Sequence, residues 1–264
     1  MNPTEDGISG LITQGVAVAG KLALDTNYEI RSLKEAEALG IDAAYDTANS
    51  SKLYYHLSEF FRMSQGAVIW LRVVARTVSM TDMADKANTH AKALLDGAAG
   101  KIKQLAICLN QDGTYVPVTV DGLDADVVAA IPKAEALAVE EFEAHRPVHI
   151  VLGGHGLSET LSAAADLRTK TAANVSVVIG SDHLLAPGVP AVGTVLGSLA
   201  YALVHENIGW LDKFNLSGNG AFLSAGLSNG KAISEVLTSE MEGLNDKGYI
   251  FAMRHTGFDG FFWN

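Results

Sequence analysis

The sequence predicts an α/β fold, a mostly parallel or mixed sheet flanked by helices, in one body or in two lobes. Three observations carry that prediction. Short apolar runs rich in β-branched residues recur, as in Ala67-Val-Ile-Trp-Leu-Arg-Val-Val74 and Val148-His-Ile-Val-Leu152. Stretches with helical periodicity separate them. Gly, Asp and Asn mark the junctions. Alternation of this kind pairs strands in parallel and lays the connecting helices on the faces of the sheet.

The elements follow in order. Gly7 to Val18 is apolar, punctuated by glycine and extended, and Tyr28-Glu-Ile-Arg31 alternates as a short strand. Ser32 with Glu35 forms the capping box Ser-Leu-Lys-Glu of a helix that Gly40 ends. Ala43 to Met63 reads as one helix, with Leu53, Leu57, Phe60 and Phe61 on one face. The buried strand Ala67–Val74 leads to a helix from Thr81 to about Leu95 and then to the strand Lys103–Leu109. Asn110-Gln-Asp-Gly113 is a turn, and Asp124 caps a long helix to Ala144 that Pro132 either kinks or begins. Val148–Leu152 and Val175–Ile179 are strands, with a helix expected between them from Leu157. Ala191–Val204 and Lys231–Leu244 are helices. Gly248–Arg254 is a strand, followed by a Gly257-Phe-Asp-Gly260 turn and an aromatic strand. The loop from Gly113 to Asp121 divides the chain into an N-terminal α/β part over 1–112 and a C-terminal α/β part over 122–264.

Composition narrows the function. With 48% hydrophobic residues, 26 glycines and only 6 prolines in 264 residues, the chain has ample material for a core. A net charge of −11 argues against nucleic acid as a partner, because phosphate binding needs a basic footprint. The single cysteine, Cys108, excludes an intrachain disulfide and a multi-cysteine metal site, and it reads as a small core hydrophobe. No window reaches the ~20 apolar residues of a membrane span. The acidic start lacks the basic segment of a secretory signal, so a reducing, soluble compartment is expected.

Two loops are candidates for chemistry. Gly153-Gly-His-Gly156 lies between a strand and the expected helix, where backbone N–H groups can cradle a phosphate. Glu159 stands where the third glycine of a dinucleotide fingerprint belongs and would repel that phosphate, so a tight turn is the plainer reading. Gly180-Ser-Asp-His183 also follows a strand and offers Ser181, Asp182 and His183. Neighbours on an extended chain point in opposite directions, which makes Asp182 and His183 a poor dyad. His145 and His149 flank Pro147, which prevents the helix that would put them at the i, i+4 spacing of a metal pair, and His205 suits a helix C-terminus. No catalytic, cofactor or metal set assembles from these residues. A small α/β hydrolase or transferase using the two loops is the alternative, and a monomeric binding module is a third reading. The helix over Ala191–Val204 carries Gly193 and Gly197 near one face, which allows close approach to another element.

Several stretches, taken in their order and spacing, resemble the sheath protein of contractile phage tails and related contractile injection systems. They are Gly7-Ile-Ser-Gly-Leu-Ile12, Tyr28-Glu-Ile-Arg-Ser-Leu-Lys-Glu-Ala-Glu-Ala-Leu-Gly-Ile41, Tyr55-His-Leu-Ser-Glu-Phe-Phe61 and Gly66-Ala-Val-Ile-Trp-Leu-Arg-Val73. Val192–Ala200, Val204-His-Glu-Asn-Ile-Gly-Trp210, Lys247-Gly-Tyr-Ile-Phe251 and Thr256-Gly-Phe-Asp-Gly-Phe-Phe-Trp-Asn264 complete the set. The resemblance implies a structural, non-enzymatic subunit without a cofactor. Such subunits form hexameric rings stacked around an inner tail tube and contract to drive it through a cell envelope. It further implies baseplate and tail-terminator partners, terminal arms that add strands to neighbours, and a place in the virion tail, assembled in the bacterial host cytoplasm. The family continues into a C-terminal, tube-facing domain. The chain is therefore expected to be the core region, cut where more protein follows its closing aromatics. Trp210, Phe258, Phe261, Phe262 and Trp263 are the residues expected at inter-domain or inter-subunit contacts.

Overall fold

The computed structural model describes residues 7–203 and 205–264. Strand β1 (Ser9–Gly15) is buried along its whole length, as its apolar sequence requires. β2 (Asn27–Ile30) follows, and then α1 (Leu33–Ala38), where Ser32 Oγ accepts the Glu35 N–H at 3.4 Å. Glu35 reaches back to the backbone N–H of Arg31 at 2.8 Å, one residue before the expected partner.

The helix expected over 43–63 is two, α2 (Ala43–Asn49) and α3 (Leu53–Met63). Asn49, Ser50 and Ser51 favour local bonds over a helical ladder, and Ser50 takes a left-handed φ of 48°. The Asp46 carboxylate then accepts the N–H groups of Tyr54 and Tyr55 and so caps α3 from the preceding helix. β3 (Ile69–Ala75) comes next. The expected helix over 81–95 is also split, into α4 (Met80–Ala84) and α5 (Ala91–Gly97), because Asp85 turns the chain by accepting the Ala87 N–H.

β4 (Gln104–Cys108) precedes a small hairpin of β5 (Thr119–Val120) and β6 (Leu123–Asp124). Asp124 caps α6 (Ala125–Glu143) through the Asp126 N–H at 3.0 Å, and Pro132 sits inside that helix without marking its start. β7 (His149–Gly153) and β8 (Val175–Val178) are joined without the expected α-helix; only two 3-10 turns, Leu161–Ala163 and Leu167–Thr169, form. The connecting backbone is tied to distant carbonyls instead: Ser158 to Gly122, Ala165 to Asp121 and Leu167 to Lys247. β9 (Gly180–Asp182) leads to α7 (Val192–Tyr201); Val204, the expected end of that helix, lies outside the described residues.

β10 (Ala225–Leu227) pairs antiparallel with β9. The expected helix over 231–244 begins late, as a 3-10 turn at Ile233–Glu235 and then α8 (Thr238–Asp246). Glu235 and Glu240 each accept a backbone N–H three residues earlier, at Ala232 and Leu237, and so give the segment two separate starts. β11 (Tyr249–Ile250), β12 (Ala252–Met253) and β13 (Phe262–Trp263) close the fold.

The principal sheet has the order β11-β8-β7-β4-β1-β3-β2, parallel except for β2. It takes strands from both sides of the 113–121 loop. The order reverses at β1, so the connections after β1 and after β3 lie on opposite faces. α4, α5 and α6 pack together on one face, and α3 packs with α7 on the other. Glycines set that second contact. A Cβ on Gly193 would collide with the His56 carbonyl oxygen, and one on Gly197 would meet the Phe60 carbonyl oxygen at 2.7 Å.

Candidate functional site

Open parallel sheets place ligands at the carboxyl ends of their strands, where the strand order reverses. Here that point lies between β1 and β4, and the chain fills it. Gln14 at the end of β1 accepts the Asn110 N–H at 2.9 Å and donates to the carbonyls of Arg76 and Val78. The Asn110 side chain donates to the Gln14 carbonyl and to Ser51 Oγ, and it accepts the Lys52 N–H at 3.0 Å. Gln14, Asn110 and Ser51 are all buried, so the reversal point is a closed hydrogen-bond network.

A cleft of about 600 Å³ opens beside it, at the ends of β4 and β7. One wall is the loop His155–Glu159. The other is the segment Tyr115–Val120, an extended flap leading into the β5–β6 hairpin. Tyr115, Pro117 and Thr119 line the cleft, as period-two alternation directs. The Tyr115 hydroxyl donates to Asp124 Oδ2 at 2.6 Å, and burial with that carboxylate pushes the phenol above its ordinary pKa. Burial pushes the His155 imidazole down to about 4, so it is neutral near pH 7. The other carboxylate in the cleft, Glu159, lies 3.2 Å from Lys231. Asp124 is committed twice, to Tyr115 and to the start of α6.

The two loops singled out in the sequence are held by structural bonds. Gly154 donates to the Val178 carbonyl, and a Cβ there would meet the Ile179 and Val177 side chains. Ser181 Oγ donates to the Leu227 carbonyl at 3.1 Å. The fully buried Asp182 carboxylate accepts the N–H groups of Leu184, Leu185 and Phe222, at 3.0, 3.0 and 2.6 Å. Asp182 therefore organises the 183–186 turn and ties it to the 222 segment. Among the described residues no group of three His, Cys, Asp or Glu side chains is placed to hold a metal ion. No helix among them is long and apolar enough to cross a membrane.

The five aromatics fall into two classes. Phe261, Phe262 and Trp263 are buried within the chain itself. Trp263 packs edge-on to Phe222, Phe262 packs on Phe258, and the Arg254 guanidinium lies 5.1 Å from the Phe261 ring. Asn264 pairs with Phe251 through its backbone N–H and through its side-chain oxygen, which extends the contact of β12 with β13. Trp210 and Phe258 present 49% and 41% of their surface to solvent.

The 113–121 segment, a divider in the sequence, is this flap, and its pattern carries a further signal: Val116, Val118 and Val120 alternate with the cleft-lining residues and are 80%, 68% and 44% exposed. Gln14 and Asn110 gave no local signal, because their partnership joins positions far apart in the chain.

No curated protein matches the chain. Among solved structures, the fold is similar to a chain in a cryo-EM structure of the anti-feeding prophage baseplate, six-fold symmetrised. The TM-score is 0.57 at 14% identity, and the likeness covers 97% of this chain and 61% of that one. The chain thus spans about three fifths of the length of that structural relative. The family model described as DUF2586, N-terminal domain, matches residues 2–264, and the chain belongs to that family.

Proposed function

We propose that this chain is a structural subunit of a contractile injection apparatus, and more specifically of its sheath. In this reading it assembles with copies of itself as six-membered rings stacked around an inner tube, between baseplate and terminator proteins, within a phage tail or related particle. The particle is assembled in the bacterial host cytoplasm. The observation that carries the reading is the fold likeness over 97% of the chain to a component of the anti-feeding prophage baseplate. The filled reversal point of the sheet agrees with it, since the usual ligand position is spent on Gln14 and Asn110. Contraction is then a rigid-body rearrangement of subunits between two arrays, with energy stored at assembly and no cofactor required. Trp210 and Phe258 are the exposed aromatics assigned to subunit or domain contacts. The parts over 1–112 and 122–264 act as the two halves of one sheath core.

Negative-stain electron microscopy of the full-length gene product, over a range of protein and salt concentrations, tests this. Rings or striated tubes are the expected result. Dispersed monomers under all conditions would overturn it.

A further inference from the structure

We propose that a pocket beside β12 binds an alkyl carboxylate, a single carboxylate on an unbranched apolar body, with Arg254 as its counter-ion. This site is independent of the assembly reading and goes beyond it.

Several parts of the chain converge on a pocket of about 320 Å³. Leu223 and Ser224 come from the approach to β10, Ile233 and Ser234 from the 3-10 turn, and Met241 from α8. Met253, Arg254 and Phe261 come from the closing hairpin. Five of these side chains are apolar and one is a cation, and no carboxylate lines the pocket among the described residues. The lining therefore suits a ligand with an apolar body and one negative charge.

Arg254 is exposed and forms no ion pair among the described residues, in a chain of net charge −11. The acids on neighbouring elements are engaged elsewhere: Glu235 and Glu240 accept the backbone N–H groups of Ala232 and Leu237. The guanidinium lies over the Phe261 ring, 5.1 Å from its centroid. Phe261 is itself held, because its N–H donates to Ser217 Oγ at 3.1 Å and its carbonyl accepts the Leu216 N–H at 2.8 Å. A guanidinium placed on an anchored ring is steadied while its N–H edge stays free, and a carboxylate matches that edge.

The methionines give the body its path. Met241 and Met253 also line a second pocket of about 250 Å³. Being unbranched and flexible, they can make way for an apolar chain that extends from the first pocket into the second. Glu242, exposed and lining that second pocket, would repel a second carboxylate there. Leu223, which lines the first pocket and is 64% exposed, is apolar surface that the ligand would cover.

Titration of the full chain with octanoate tests the proposal, read from the methyl signals of isotope-labelled methionines and assigned with Met241→Leu and Met253→Leu. Saturable shifts of those two signals are expected. Arg254→Gln should weaken binding about tenfold or more, the worth of a charge-assisted hydrogen bond. Its melting temperature should stay at the wild-type value, because the side chain is exposed. Octanol, which lacks the charge, and octanedioate, which carries a second one, are expected to bind more weakly. Octanol binding as tightly as octanoate, or wild-type affinity in Arg254→Gln, would overturn the role of the guanidinium. Shifts at other methionines alone would overturn the site, and no saturable shift at all would overturn the proposal entirely. Tighter binding of a capped tripeptide, glutamate between two leucines, would overturn the choice of a small molecule in favour of a protein's acidic side chain.

Discussion

The indole N–H of Trp263 donates to the hydroxyl of Ser198 at 3.1 Å, and both side chains are sealed from water. The Ser198 hydroxyl in turn donates to the Thr194 carbonyl at 2.9 Å, so the last strand is tied to the backbone of α7. Ser198→Ala leaves a buried indole donor without a partner. The expected cost is about 1–3 kcal/mol in urea unfolding. Trp263→Ala removes the ring as well and is expected to cost about 3–5 kcal/mol. If both variants unfold at the wild-type midpoint, β13 is not part of the core.

Of the two glycines that α7 lays on α3, Gly193 leaves the less room. Adding one methyl there drives it into the His56 carbonyl, which is backbone and cannot swing away. Gly193→Ala is expected to destabilise by about 1–3 kcal/mol or more, although alanine has the higher helix propensity. A gain in melting temperature would show that the two helices have room to spare.

His56 is fully enclosed, and burial pushes its pKa from 6.5 down to about 3. The unfolded chain therefore binds a proton at a higher pH than the folded chain does. The stability tied to neutral His56 is complete above pH 6.5 and declines as the pH falls from there toward 3. Urea midpoints measured between pH 7.5 and 4 are expected to drop, and the drop should be shallower in His56→Gln. A slope unchanged by that substitution would assign the acid sensitivity to other groups.

Burial pushes the Cys108 thiol up to about 12, so the nucleophilic thiolate is scarce at pH 8. A chromogenic disulfide reagent is expected to find no thiol in the native chain and one in urea. Rapid native labelling would mean that β4 opens to solvent.

Asp182 gives a test that separates structure from chemistry. Its carboxylate serves three backbone donors, and Asp182→Ala strands them. Loss of about 3 kcal/mol or more is expected in thermal or urea unfolding. A fully stable Asp182→Ala chain would free the carboxylate for another role.

The strands of the principal sheet and the caps at Ser32 and Asp124 were legible because each depends on residues within a few positions of one another, whereas the short strands β5, β6, β9 and β10 were not, the Gly180–His183 stretch having read as a loop. The helix breaks at Ser50, Asp85 and Val236 were not, since the apolar periodicity runs on through them while a local carboxylate or hydroxyl takes the backbone donors. The missing helix between β7 and β8 was harder still. Its N–H groups answer to Gly122, Asp121 and Lys247, which no window of sequence brings together. The same division holds for the candidate surfaces. The run Phe261-Phe-Trp263 reads as an apolar strand, but whether it faces a neighbour or its own core depends on Ser198 and Phe222. The alternation of Val116, Val118 and Val120 was visible in the sequence, but only the cleft decides which face is outward.

The placement of β1 has a mechanical consequence. It is hydrogen-bonded along one edge to β3, from Ser9–Ile69 to Gly15–Ala75, and along the other to β4, from Ser9–Gln104 to Thr13–Cys108. Tension applied along it loads both ladders at once in shear, so rupture requires many bonds to fail together instead of unzipping one by one. Among the described residues β13 pairs as a strand with β12 alone, over Ala252–Trp263 and Met253–Phe262, so once the Trp263 bond to Ser198 gives way its ladder peels pair by pair. A single-molecule pulling experiment would therefore find two thresholds in one chain: a low force that strips the closing hairpin, and a much higher one that breaks the sheet at its centre.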